Sequence, residues 1–193
     1  LSKEDILELL DASLGKLSGR DVLASRLREA TGGNPFFILE ILRTLQEENR
    51  LSGDLGQGVE MPLPEGVRAA VGRRLERLDS SARQVLEAGA ILGTRFGFNT
   101  VRATAGRSEM ETAHQLDVLV SRQLLLKVKN EFHFSRDLVR KATAAAISPM
   151  RFSLLHKRAG KARERYEPEA AAAIALHYDI SGEFEKALHY YQL

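Results

Sequence analysis

The chain contains no cysteine. A disulfide framework and a thiolate metal site are therefore excluded. It also lacks any apolar run near the ~18 residues that a membrane-spanning helix needs. Acids fall inside the apolar pattern of the opening LSKEDILELL, which excludes a signal peptide. These absences lead us to expect a cytoplasmic protein with no membrane partner. Strong charge of one sign is missing too. The 28 basic and 26 acidic side chains leave a net charge of +2, too little to argue for nucleic acid by itself. The distribution is uneven: residues 1–64 carry 7 basic and 11 acidic side chains, and the remainder carries 21 and 15. There is no initiator methionine, so the chain is expected to be a piece of a longer one.

Motifs that carry chemistry are missing as well. A phosphate loop needs G-x-x-x-x-G-K-[ST] after a buried strand. LDASLGKLS offers Gly15 and Lys16, but Leu10 stands where the first glycine belongs and Leu17 where the hydroxyl belongs. GDLGQG has the wrong glycine spacing and reads as a loop. Neither a G-x-S-x-G elbow nor an H-E-x-x-H helix occurs. The five histidines, at 114, 133, 156, 177 and 189, follow no spacing that suggests a common site. We expect no catalytic and no metal-binding residues, and no ATPase activity from this segment alone.

What the chain does have is helical periodicity. Ile6, Leu9, Leu10 and Leu14 mark a helix over 1–14, with Ser2 and Asp5 placed as a capping box. A second helix runs from Asp21 to Thr31. The stretch TGGNPFF then builds a hard corner. Gly32 or Gly33 ends one helix in the left-handed conformation, Asn34 caps the next, and Pro35 suits its first position. Phe36, Ile38, Leu39, Leu42 and Leu45 are expected to form the buried side of that third helix. Residues 51–63 read as a loop. Val67, Val71, Leu75 and Leu78 mark another helix, and Asp79 or Ser80 caps the one after it. Gly93 and Gly97 mark a turn region. A short helix near Asn99–Ala105 and a longer one over Ser108–Arg122 follow.

LLLKVKNEFHFS breaks the habit. Leu124, Leu126 and Val128 alternate with Leu125, Lys127 and Lys129, Phe132 and Phe134 alternate with His133 and Ser135, and the short link between the two runs predicts a hairpin. Three helices and then a hairpin is the order of a winged helix domain. The helix over 108–122 would be its reading helix. It carries Glu109, Glu111 and Asp117 against Arg122, a poor surface for a duplex, although Lys127 and Lys129 sit in the wing. We expect no direct DNA binding by this segment. Everything after Arg136 is helical. The closing AAAIALHYDISGEFEKALHYYQL resembles a tetratricopeptide repeat through Ala175, Tyr178, Ala187 and Tyr191. One repeat cannot bury its own face, so more are expected to follow.

In this order the segments resemble the C-terminal part of the NTPase region of STAND signalling ATPases. The resemblance is to the bacterial type found in large LuxR-type and antibiotic-regulatory activators and in related kinases and cyclases. ATGGNPFFILEILRTL is similar to their helical lid. LPEGVRAAVGRRLERLDSSARQVLEAGAILGTRFGF is similar to the approach to their winged helix. FHFSRDLVRKATAAAISPMRFSLLHKRAGKA is similar to the wing and the helices leading to a repeat superhelix.

The resemblance implies a mainly α fold: a helical lid over 1–50, a linker over 51–64, a winged helix with one hairpin over 65–147, and a linker with a first repeat over 148–193. It implies a nucleotide lid and relay in an ATP-dependent signalling or transcriptional regulator. ATP or ADP would bind the full-length protein, the upstream NTPase core would be a partner in the same chain, and a protein or small-molecule effector would bind the repeats. It places Gly33, Asn34 and Pro35 against the base. It also places Arg136 where the family commonly has a histidine that reaches the β-phosphate of ADP. Arginine can pair with phosphate as a permanent cation, but it cannot act as a neutral imidazole. Phe36 and Phe37 are expected in the lid core, and Asp137 as a helix N-cap. Two rival readings are an interaction scaffold that has lost its nucleotide role and a DNA-binding module.

Overall fold

The computed structural model describes residues 1–14, 19–48, 50–51 and 62–193. The rejected Gly15-Lys16 loop, GDLGQG and most of the expected 51–64 linker lie outside the described residues. Among those described, the protein is mainly helical, with eleven helices and a small three-stranded antiparallel sheet. The chain groups into two compact units. One comprises Leu1–Val71 with Arg136–Leu138; the other comprises Gly72–Ser135 and Val139–Leu193.

The first unit holds α1 (Lys3–Leu14), α2 (Arg20–Thr31), α3 (Pro35–Glu47) and the opening turns of α4 (Glu65–Glu76). The capping box expected at the start of α1 is present. The Ser2 amide donates to Asp5 Oδ2 at 2.7 Å, and the Asp5 amide donates to Ser2 Oγ at 3.1 Å. These bonds satisfy two helix-end donors and hold the Asp5 carboxyl below its usual range. The core of the unit is aliphatic: Ile6, Leu10, Leu23, Leu27, Ile38, Ile41, Leu45 and Val67 are buried. The expected face of α3 needs correction. Phe36 and Leu39 stand 48% and 51% exposed, while Ile41 is fully buried. The run PFFILEIL is apolar almost all round, so its periodicity does not select a face.

The second unit holds α5 (Ser80–Leu92), β1 (Arg95–Gly97), α6 (Phe98–Ala105), α7 (Glu109–Ser121), β2 (Leu125–Val128), β3 (Glu131–Phe134), most of α8 (Asp137–Ala145), then α9 (Pro149–Tyr166), α10 (Ala171–Ile180) and α11 (Phe184–Tyr191). Asp79 caps α5 by accepting from the Ala82 amide at 2.8 Å, and Ser108 caps α7 through the Glu111 amide. The expected hairpin forms between β2 and β3. A third strand, β1, lies where the sequence suggested only a turn region; the order is β1-β3-β2. Register places Phe96 beside Phe132, and the Phe96 ring packs against both Phe132 and Phe134 at centroid distances of 6.3 and 6.1 Å. The expected alternation of β2 is also corrected. Leu124 and Leu125 are buried, whereas Leu126 and Val128 are 47% and 43% exposed.

At the C-terminal end α9 packs on α10, and α10 on α11. Ala175, Tyr178 and Ala187 are buried, as their spacing suggested. Tyr191 is 54% exposed instead, and Tyr190 stacks on Tyr178 at 6.1 Å. Gly160 makes the close approach of α9 possible: a Cβ there would come within 3.0 Å of the Tyr178 ring.

Candidate functional site

The residues the sequence singled out lie in the first unit, around the corner between α2 and α3. Gly32 and Gly33 both take left-handed backbone, with φ of 65° and 76°, which an L side chain adopts only with strain. The Gly32 amide donates to Arg28 O at 2.7 Å and closes α2. Thr31 Oγ1 donates to Leu27 O at 2.6 Å and accepts from the Gly33 amide at 3.1 Å. Asn34 is the N-cap of α3; its Oδ1 accepts from the Phe36 amide at 3.0 Å, and Pro35 occupies the first helical position. The corner thus engages the amides of Gly32, Gly33, Asn34 and Phe36 in its own bonds, so these four are not left for a ligand. Pro35 does remain exposed, so its ring can offer a flat apolar surface.

Arg136 lies more than a hundred residues further along the chain, yet its guanidinium rests on this corner. A Cβ at Gly32 would overlap Nε and Cζ of Arg136. The contact is therefore possible only with glycine at 32. Beside it opens a cleft of about 500 Å³ lined by Lys3, Ser25, Arg28, Glu29, Gly32 and Arg136. Three cations face one acid there. Ser25, Arg28, Glu29 and Gly32 share one face of α2 because their spacings are three, four and seven. Lys3 also pairs with Asp21 at 3.7 Å, a solvent-exposed contact of small worth. Asn34 and Pro35 do not line this cleft. Asp137 is the first residue of α8 rather than the cap before it.

Sequence reasoning missed Lys3 and Arg28, which no motif marks. It also missed a buried polar cluster in the second unit. His177 Nδ1 and His156 Nδ1 are 3.0 Å apart, and both side chains are buried. Arg163 donates through Nε to His177 Nε2 at 3.4 Å and through a terminal nitrogen to Leu92 O at 2.7 Å, and its other terminal nitrogen pairs with Glu167. Since His177 Nε2 accepts from Arg163, His177 Nδ1 carries the proton and donates to His156. Burial pushes His156 down to about 4 and His177 down to about 3, the latter helped by its neighbours His156 and Arg163. Both imidazoles are neutral around neutral pH.

No family model matches the chain, and no curated protein and no solved structure matches it. Among the described residues no helix is long and apolar enough to cross a membrane.

Proposed function

We propose that the chain is the nucleotide-lid and relay segment of a modular ATP-dependent signalling protein or transcriptional regulator. The observation that carries this reading is the seating of Arg136 on Gly32. Arg136, which the family resemblance assigns to nucleotide, meets Gly32, the neighbour of the Gly33-Asn34-Pro35 turn that the resemblance also assigns to it, in one compact unit. The cleft beside them fits a polyphosphate by its charge, with Arg136, Arg28 and Lys3 as its cations. Pro35 would lie toward the base and Arg136 toward the phosphates. Bound ATP or ADP would supply the hydrolysable anhydride; this segment would hold its charge and shape. The order α5-β1-α6-α7-β2-β3 supports a winged helix as the relay. The α10–α11 hairpin, with small Ala175 and Ala187 at its crossing, supports the start of a tetratricopeptide-type array.

The test is calorimetric titration of ADP and adenosine into the full-length protein. Arg136→Ala is expected to weaken ADP by roughly 1.5–3 kcal/mol, the worth of a charge-assisted bond, and to leave adenosine nearly unchanged. Pro35→Ala is expected to weaken both about equally. An Arg136→Ala protein that is folded and binds ADP like wild type would remove the reading.

The scaffold alternative has one observation to draw on. Leu176, Ile180, Phe184 and Leu188 on α10 and α11 are 40–68% exposed, an apolar surface suited to a protein partner. This surface is compatible with either reading, since a sensor array would use it too.

A further inference from the structure

A second cleft, of about 910 Å³, lies entirely in the second unit between β1 and the C-terminal end of α9. Its size suits a ligand of several residues. One wall is the stretch from Leu92 to Thr100; Arg163, Tyr166 and Glu167 stand opposite, and the tip of the hairpin closes one end.

The backbone of β1 decides what the cleft can take. The Phe134 amide donates to Thr94 O at 3.0 Å, and the register pairs Arg95 with His133, Phe96 with Phe132 and Gly97 with Glu131. Hydrogen bonds alternate along an antiparallel strand. Thr94 and Phe96 therefore turn their amides and carbonyls to β3, while Arg95 and Gly97 turn theirs away. β2 lies on the far side of β3, so among the described residues the outer edge of β1 has no neighbouring strand. The Gly97 carbonyl starts α6, where Gly97 is the N-cap. That leaves the Arg95 amide, the Arg95 carbonyl and the Gly97 amide along the wall of the cleft.

The charges around that edge are unequal. Arg95, Lys127 and Lys129 are exposed and line the cleft. Among the described residues none of the three has an ion-pair partner. The acids are mostly engaged: Glu167 is held by Arg163 and accepts from Thr100 Oγ1 at 2.5 Å, and Glu131 faces His133 at 3.3 Å. Of the three acids lining the cleft, Glu169 has no bond or ion pair among the described residues. Tyr166 and Phe98, both half-buried, add apolar contact.

We propose that this cleft seats an extended acidic peptide as an added strand on β1, with its carboxylates toward Arg95, Lys127 and Lys129. The three edge groups would register the peptide backbone, and the cations would select its side chains. The site is separate from the Arg136 cleft and does not depend on a nucleotide role.

The probe is a short capped peptide of alternating glutamate and valine, titrated to millimolar concentration into the isotope-labelled chain and read from amide chemical shifts. Saturable shifts are expected at Arg95, Gly97 and Lys129. Arg95→Pro removes one outward donor and, with it, one of the three cations, but no bond to β3; compared with Arg95→Ala, which removes the cation alone, it is expected to weaken binding a further fivefold to tenfold, roughly. The same peptide N-methylated at alternate residues is expected to bind at least as poorly. The double variant Lys127→Glu, Lys129→Glu is expected to weaken the acidic peptide and not a glutamine-for-glutamate counterpart. The proposal is overturned by any of three results: no shift at these amides, N-methylated peptide binding as well as the parent, or a short DNA duplex displacing the peptide from the same amides. Should Arg95→Pro fail to fold, the N-methylated peptide still decides the matter on wild-type protein.

Discussion

Unfolding in urea is expected to become much easier as pH falls from about 6.5 to about 4.5, because the buried His156–His177 pair must stay neutral in the folded chain. The ordinary imidazole value is 6.5, and burial lowers these two to about 4 and about 3. Between the ordinary and the lowered values the unfolded chain binds protons that the folded chain refuses. The stability from the neutral pair is therefore full above about pH 6.5 and is lost progressively below it, with a slope approaching about 1.4 kcal/mol per pH unit for each imidazole. Against a total stability of roughly 5–15 kcal/mol, that is a large fraction. Glu87 works in the opposite sense: burial raises its carboxyl, so the folded chain takes up that proton more readily and gains some stability as pH falls. Carboxyls with lowered values, such as Asp5 and Glu183, add their losses only further down in pH. His156→Phe removes one imidazole and leaves His177 Nδ1 without its acceptor. It is expected to cost about 1–3 kcal/mol at neutral pH and to lower the slope by about half. Urea midpoints measured every half unit of pH would read both, and a slope equal in the two proteins would show that the pair does not govern acid lability.

Gly89→Ala is expected to destabilise the second unit by about 1–3 kcal/mol, the range for forcing a methyl into a packed core. Gly89 lies inside α5, where alanine would ordinarily gain about 1 kcal/mol by propensity. Here a Cβ would come within 2.6 Å of Phe96 Cζ and 2.7 Å of Cε1. The ring cannot withdraw easily, since Phe96 is 3% exposed and held between Phe132 and Phe134. Gly72→Ala is the matched control. It too lies in a helix, with nothing within 4 Å of the added atom, and is expected to gain about 0.5–1 kcal/mol. Thermal or urea unfolding of the two variants should move in opposite directions.

Local chemistry explains what was legible in the sequence. Ser2 with Asp5, Asn34 with Pro35, and the pair Asp79 and Ser80 each announced a helix start, because a cap acts through groups only two or three residues away. Features settled by tertiary contact were not legible. β1 has three residues, the last of them Gly97, too few to show alternation, and only pairing with β3 makes it a strand. The faces of α3 and β2 were misjudged for a related reason: both runs are apolar on more than one side, and the rest of the unit chooses which side is buried. Gly33, Asn34 and Pro35 could be marked as a corner, but nothing in their neighbourhood names Arg136, Arg28 or Lys3. His156 and His177 sit on successive helices, α9 and α10, and nothing in their spacing shows that the two rings meet.

Arg163 spends all three of its guanidinium nitrogens on different elements: Leu92 at the end of α5, Glu167 after α9, and His177 on α10. A side chain anchored in this way cannot release one element without exposing a charge to the others. Local opening is then discouraged, and the last turn of α5, the end of α9 and α10 are tied into one cooperative block. Amide hydrogens in these three places should exchange with solvent at similar rates, set by the opening of the block as a whole rather than by fraying of each helix.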